Sequence, residues 1–495
     1  VNVLPERDDL NPEKKRKSKK KKSNKNNREF VIVTYFFLAL FLCLMGYIVS
    51  FQVLQAETVI NNPYNKRQTI FAKSIIRGKI ESSDGKTLAK TKVNSKTGKE
   101  TRVYPAGNMF AHAVGYSTNG NTGIESFANF QLLRTHSFIG DQLMNMLSQK
   151  KNQGDTVVST LSYKLQKAAY QGLGGYEGAV VALNPKTGKI LCMVSKPDFD
   201  PNQVADHYDS IAGTDVNGKE SSVLLNRTTQ GSYTPGSTFK IFTTLEYLKE
   251  NGTNAAFNYH CTGAKTAGGT TIHCYGGEVH GDVDLKHLFA ESCNCGYAEM
   301  GLSLDIASFQ KLSKKMLFDR SLPIEYPYTK SKFSLSEDSS TASIMMGSFG
   351  QDKITVSPIH LAMVAGAISN KGILMKPYSI DHVENDAGQI VSENNPEKYR
   401  QLLSPQKAKI MRRLMRATVR YGTATALQSN KYLSGGKTGS AQVSDSSDDT
   451  HSWFVGYAKN KKGKSIAIAV IVEKQGNGSR FAVPIAKKVF DAYFD

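Results

Sequence analysis

From Phe30 to Ala56 the chain carries no charged side chain, and Phe, Leu, Val and Ile dominate Phe30–Leu54. As a helix those 25 residues would be about 37 Å long, enough to cross a hydrocarbon core of about 30 Å. Ten basic side chains lie just before the run, between Lys14 and Arg28. Lysines beside a lone span mark the cytoplasmic side, so the rest of the chain is expected outside. A cleaved signal peptide is the rival reading, but the run is too long for an h-region and Leu54-Gln55-Ala56 is a poor cleavage site. An uncleaved signal anchor results: residues 1–29 a basic cytoplasmic tail, residues 30–54 the transmembrane segment. The net charge of +20 and the lysine block invite a nucleic-acid reading. The adjoining span decides against it, and no nucleic-acid partner is expected.

At 495 residues the chain is too long for one ordinary core. Residues 55–155 have short polar segments and turns, with Ile76–Ile80 leading into the turn Ser83-Asp84-Gly85-Lys86. A spacer or docking module is the default there. From residue 156 the pattern is that of a compact α+β unit. Leu161–Leu173 is helical, and two apolar runs, Gly178–Leu183 and Lys189–Val194, flank a turn and predict a β-hairpin. Trp453–Tyr457 and Ser465–Glu473 read as returning strands, and a last helix follows Pro484 with Ile485, Val489 and Tyr493 on one face. The stretch from 284 to 425 reads as mostly helical. Strands at both ends with helices between predict one antiparallel sheet covered by helices.

Within that unit, Gly231-Ser-Tyr-Thr-Pro-Gly-Ser-Thr-Phe-Lys240 places a serine at a helix entry. Free N–H groups and the positive dipole end there favour developing negative charge. Lys240 follows Ser237 by three residues, so its amine shares the helix face of the hydroxyl. A neutral amine in that position can take the serine proton, and burial is what makes it neutral. Alone, S-x-x-K is a weak pattern. Ser292-Cys293-Asn294 and Lys437-Thr438-Gly439-Ser440 follow it in order, the set shared by penicillin-binding proteins and class A β-lactamases.

With these motifs the chain resembles a class B penicillin-binding protein, a membrane-anchored peptidoglycan D,D-transpeptidase with a short pedestal. Arg77-Gly78 with Asp84-Gly85, and Arg102-Val-Tyr-Pro105 with Gly123-Ile-Glu125, resemble the pedestal signatures of that family. Asp198–Asn202, Gly347–Gln351 with Ser357-Pro358, and Trp453–Gly456 resemble segments of its transpeptidase domain. The resemblance implies a penicillin-binding-protein/β-lactamase-like transpeptidase domain (156–495) on a small extended pedestal (55–155). It implies a D-Ala-D-Ala stem peptide as substrate and β-lactams as inhibitors, with a SEDS-family glycan polymerase as membrane partner. By the same resemblance Ser237 is the nucleophile and Lys240 the base. The N–H groups of Ser237 and Ser440 form the oxyanion hole. Ser292 relays a proton, and Asn294 binds the substrate's peptide. Lys437 and Thr438 receive its terminal carboxylate, and Gly439 lets a strand approach closely. No cofactor is required for this chemistry.

The alternatives are a β-lactamase and an inactive wall-binding scaffold. Class A enzymes carry a deacylating Glu followed by Leu-Asn, whereas Glu325 is followed by Tyr326-Pro327-Tyr328. A dead scaffold would lack a motif residue, and none is lost. Four cysteines crowd the second motif. A Cys261–Cys274 disulfide, free buried thiols and a structural Zn²⁺ are all open readings. For zinc the expected ligands are Cys261, Cys274, His280 and Cys295, with Cys293 packing beside the serine. Cys43 in the span and Cys192 in a strand read as inert small hydrophobes.

Overall fold

A computed structural model describes residues 12–54, 74–213, 221–444 and 447–495. The chain divides into two compact units, 1–65 and 66–495. In the first, helix α1 (Pro12–Leu54) contains Arg28–Phe51, the one described stretch long and apolar enough to span a membrane. It fits a single-pass anchor.

The second unit is built on a five-stranded antiparallel sheet. Its strands are β7 (Gly178–Leu183), β8 (Ile190–Lys196), β17 (Leu433–Ser444), β18 (Ser447–Lys459) and β19 (Ser465–Val472), in the order β17-β18-β19-β7-β8. The expected hairpin is β7–β8, and both β7 and β19 are buried along their whole length. Their near-continuous apolar runs follow from helices on both faces. Alternate residues serve alternate layers. Ala179, Val181, Ala469 and Ile471 join one cluster with helix α6 (Pro358–Ser369). Val180, Ala182, Ile468 and Val470 join another with α3 (Tyr163–Leu173) and α7 (Ala482–Phe494). In α7, Ile485 and Val489 are buried as expected, whereas Tyr493 is only half-buried.

A six-stranded sheet combines strands of the stretch expected to form the pedestal with three from beyond residue 155. Strands β2 (Ile80–Glu81), β3 (Thr87–Val93), β4 (Glu100–Val103), β6 (Thr156–Ser159), β14 (Ile380–Glu384) and β15 (Ile390–Glu393) run in the order β15-β14-β6-β2-β3-β4. Two of these strands come from the stretch read as mostly helical, where β13 (Ile373–Met375) also pairs with β16 (Lys398–Gln401). Only Ile380 and Val383 of β14 are buried, so the apolar signal there is too sparse to read from sequence. A cluster of Ile80, Val157, Ile380 and Val383 continues onto Ile190, Met193 and Tyr326, joining the pedestal to the catalytic sheet. At its centre the fully buried Glu125 accepts from Arg77 Nε at 2.6 Å and Arg102 Nε at 2.7 Å. The separated signature residues therefore converge on one carboxylate. Two short strands, β1 (Ile75–Ile76) and β5 (Asn152–Gln153), pair in parallel beside them, and helix α2 (Ile139–Leu147) precedes β5.

Candidate active site

Ser237 lies in a 3₁₀ turn, Gly236–Phe239, that runs directly into α4 (Lys240–Glu250). Gly236 has a φ of +53°, and a Cβ there would stand 2.8 Å from the Ser440 carbonyl oxygen and 2.9 Å from Ala441 Cβ. Only glycine lets the nucleophile's turn approach β17 this closely. Strand β17 is an edge strand, so its outer side is free to pair with an extended peptide. Gly439 sits opposite Trp453 in the ladder. The Trp453 indole Nε1 donates to the Thr234 carbonyl at 3.1 Å, tying the segment before Ser237 to the sheet.

Lys240 is fully buried. Its Nζ donates to the Ser292 carbonyl and to Asn294 Oδ1, both at 2.7 Å, and to Ser292 Oγ at 3.2 Å. The Tyr297 ring lies 5.2 Å from the same nitrogen. Burial lowers the Lys240 pKa to about 7, although the thiols of Cys293, Cys274 and Cys295 pull it back upward. From the other side Lys437, also fully buried, donates to Ser292 Oγ at 2.8 Å and to the Thr438 carbonyl at 3.1 Å. Its pKa is held well below the ordinary value by burial and then by the charge of Lys240. Ser292 occupies a left-handed conformation with φ of +65°, which costs about 1–3 kcal/mol in a non-glycine residue and recurs at functional sites. Asn294 begins α5 (Asn294–Leu302), and its Nδ2 donates to the His273 carbonyl at 3.2 Å.

The three motifs thus meet, with Ser292 and Asn294 around Lys240, Lys437 on Ser292, and Gly436 to Ser440 on the edge strand β17. Sequence reasoning missed three contributors. Thr423 Oγ1 lies 2.5 Å from Thr438 Oγ1. Tyr297 bonds Thr244 through its hydroxyl at 2.6 Å and flanks Lys240. Tyr233 donates to Glu473 at 2.7 Å, where Arg227 also donates at 2.8 Å. Tyr233 lies four residues before the first motif and could have been flagged by position, but nothing in sequence pairs Thr423 with Thr438. Glu325 is exposed, while Tyr326 beside it is buried in the pedestal cluster.

Behind the second motif, Cys261 closes β9 (Asn258–Cys261), which pairs with β12 (Gly281–Asp284), and Cys274 follows the hairpin of β10 (Ala264–Ala267) and β11 (Thr270–His273). The ligand atoms of Cys261, Cys274, His280 and Cys293 all lie within 4.8 Å of one another. Cys261 Sγ is 3.7 Å from Cys274 Sγ and 3.5 Å from His280 Nδ1, and Cys274 Sγ is 3.7 Å from Cys293 Sγ. Compared with the expected set, Cys293 stands where Cys295 was placed. Cys293 is the N-cap of α5, its sulfur turned to the Gly296 N–H at 3.4 Å. Cys295 lies 3.4 Å from Cys274, near the Ile272 carbonyl and within reach of Cys261, but is not in the four-atom group. The Cys274 thiol is pushed down by hydrogen bonds from Cys293 and then Cys295, whose own thiols are pushed up by the same contacts.

Residues 178–491 match the model of the penicillin binding protein transpeptidase domain, and residues 77–157 that of the penicillin binding protein A dimerisation domain. The chain is 30% identical over 468 residues to the peptidoglycan D,D-transpeptidase PbpA of Mycolicibacterium smegmatis, covering 89% of this chain and 94% of that one. It is 27% identical over 449 residues to the peptidoglycan D,D-transpeptidase MrdA of Acinetobacter baumannii, covering 79% and 66%. The ceftriaxone acyl-enzyme complex of penicillin-binding protein A from Mycobacterium tuberculosis superposes with a TM-score of 0.76 at 25% identity, covering 86% of this chain and 100% of that one. A site of this geometry on this fold defines a serine acyl-transfer enzyme. The chain belongs to the penicillin-binding protein transpeptidase family.

Proposed function

We propose that peptidoglycan D,D-transpeptidation, the activity that family membership assigns to this chain, runs through an acyl-enzyme on Ser237. The observation that carries this reading is the double hold on Ser292 Oγ by Lys240 and Lys437. Lys240, neutral in part near pH 7, takes the Ser237 proton as the hydroxyl attacks the penultimate D-Ala carbonyl. The N–H groups of Ser237 and Ser440 receive the oxyanion, a contribution of about 10²–10³ in rate per donor. Ser292 passes a proton to the departing D-Ala amine, and a second stem's amine then displaces Ser237. Asn294 binds the stem's peptide, Gly439 admits it to the β17 edge, and Lys437 with Thr438 meets its terminal carboxylate. That anion would restore the charge on Lys437, which burial otherwise disfavours. Incubating the protein with a fluorescent penicillin tests the assignment. Label should persist on the native chain and vanish in Ser237→Ala, whereas rapid turnover of the drug would indicate a β-lactamase.

Three further assignments belong to this reading. The basic residues before the anchor support a cytoplasmic N-terminus and an extracellular catalytic unit, checked by protease access to sealed cells. A SEDS-family glycan polymerase supplies new strands in the membrane, checked by co-purification. The cysteine cluster holds a structural Zn²⁺ through Cys261, Cys274, His280 and Cys293. With Zn–S near 2.3 Å and Zn–N near 2.0–2.1 Å, a tetrahedron has S···S edges of about 3.8 Å and S···N edges of about 3.6 Å. The observed 3.7, 3.7 and 3.5 Å match those edges. Backbone N–H groups of Gly263 and Gly296 point at two of the sulfurs, which suits thiolates. The metal would brace the loop carrying Ser292 and Asn294 and take no part in acyl transfer.

A further inference from the structure

Thr423 and Thr438 share one short hydrogen bond, their Oγ1 atoms 2.5 Å apart. Neither oxygen has another hydrogen-bond partner among the described residues. A hydroxyl has a single proton to donate, so one of these two protons lies between the oxygens and the other is free. If Thr438 supplies the shared proton, it turns a lone pair outward and repels an anion. If Thr423 supplies it, the Thr438 proton is left to donate. The backbone of Thr423 is held from two sides. Its N–H donates to the Ala290 carbonyl at 3.2 Å, at the end of the short helix Leu285–Ala290 that precedes Ser292. Gly422 passes the same oxygen so closely that a Cβ would stand 2.2 Å from it. The Thr423 carbonyl accepts from Ser479 Oγ at 2.5 Å. Gly478, beside that serine, is pressed on β17, where a Cβ would stand 2.7 Å from the Gly439 carbonyl oxygen. Thr423 is thereby tied both to the approach to the second motif and to the loop lying on the third. Its branched Cβ leaves χ1 few alternatives, so the hydroxyl is aimed before any ligand arrives.

We propose that Thr423 is a positioning residue for carboxylate recognition: it donates to Thr438 Oγ1, so that Thr438 donates to the terminal carboxylate of the acyl donor. The inference rests on Thr438 receiving that carboxylate, as in the function proposed above. An anion at Thr438 selects this direction of the shared bond, because only then does a proton face it. A hydroxyl that already accepts a hydrogen bond is also the stronger donor. Thr423 touches no substrate and acts through Thr438 alone.

Benzylpenicillin carries one carboxylate and its methyl ester none. Acylation of the full chain by each is followed in competition with a fluorescent penicillin. Thr423→Val keeps the side chain's shape and removes its proton. It should slow reaction with the acid about tenfold and with the ester by less than about twofold. The loss should lie in initial binding, with the acylation step itself unchanged. Thr423→Ser, which keeps the hydroxyl, should react with the acid within about threefold of the native rate. Adding Thr423→Val to Thr438→Val should cost nothing further, since a residue that acts only through a second one is not additive with it. Equal losses for acid and ester would make Thr423 structural and overturn the proposal, as would losses that add in the double variant. If Thr423→Val reacts with neither compound, Thr423→Ala takes its place under the same criteria. A Thr438→Val variant that treats acid and ester alike overturns the carboxylate assignment and this proposal together. One that discriminates between them, while Thr423→Val does not, overturns the role of Thr423 alone.

Discussion

Lys240 and Lys437 approach one hydroxyl from opposite sides: Ser292 Oγ lies 3.2 Å from the first ammonium nitrogen and 2.8 Å from the second. Two buried cations this close cannot both keep their protons cheaply, and each is lowered from its ordinary pKa. Ser292 is thereby the only described hydroxyl bonded to both amines, the position a proton shuttle requires. Ser292→Ala should lower the second-order rate of penicillin acylation by about 10²–10⁴, the usual contribution of a positioned proton-transfer group. A rate within a few-fold of the native chain would remove Ser292 from the proton path.

The acylation rate should also follow the protonation of Lys240. Burial lowers this amine to about 7, so the neutral, proton-accepting form grows as pH rises through that value. Acylation should climb between pH 6 and 8 and then level. Lys240→Arg, which cannot lose its proton in this range, should be slow and flat. A native profile that falls over the same interval would contradict Lys240 as the base.

The pedestal has its own electrostatic lock. Burial alone would raise the Glu125 pKa, but Arg102 and Arg77 outweigh it and hold the carboxyl below its usual value. Glu125→Gln leaves two guanidinium groups facing a neutral side chain in the interior and should cost about 3–5 kcal/mol. Denaturant unfolding reads this directly. The sign with pH is fixed by the depressed value. The stabilisation is fully present above the unfolded carboxyl's pKa of about 4.3 and is lost as pH falls through the lower folded value. The variant's deficit should therefore shrink in acid, and a deficit independent of pH would point to packing alone.

How much of this was legible in the sequence varies with the kind of signal. Ser237, Lys240, Ser292, Asn294 and Lys437-Thr438-Gly439 could be named as candidates because the proposed chemistry calls for those residue types in that order. The hairpin β7–β8 was readable because both faces of the sheet are covered, which forces continuous apolar runs. Strands β15 and β16 were not, since Ile390–Glu393 and Lys398–Gln401 are mostly exposed and carry no apolar period. The convergence of Arg77, Arg102 and Glu125 is tertiary, joining residues up to 48 apart in sequence. The Cys/His cluster sits at the limit. Composition could nominate Cys261, Cys274 and His280 as neighbours, but choosing between Cys293 and Cys295 depends on which sulfur the first turn of α5 turns inward.

That choice supplies the most discriminating test of the zinc reading. Native protein purified without chelators should carry about one equivalent of Zn²⁺ for its four-ligand site. Cys293→Ser should lose most of the metal, because it removes a corner whose sulfur sits 3.7 Å from Cys274, close to a tetrahedral edge. Cys295→Ser should retain it, since that sulfur lies outside the group formed by Cys261, Cys274, His280 and Cys293. Chelation of the native chain should lower the melting temperature and slow acylation together, as the loop bearing Ser292 and Asn294 loosens. The opposite pattern, metal kept in Cys293→Ser and lost in Cys295→Ser, would restore Cys295 as the ligand. Native protein without metal and with two of its thiols unavailable to titration would instead indicate the Cys261–Cys274 disulfide.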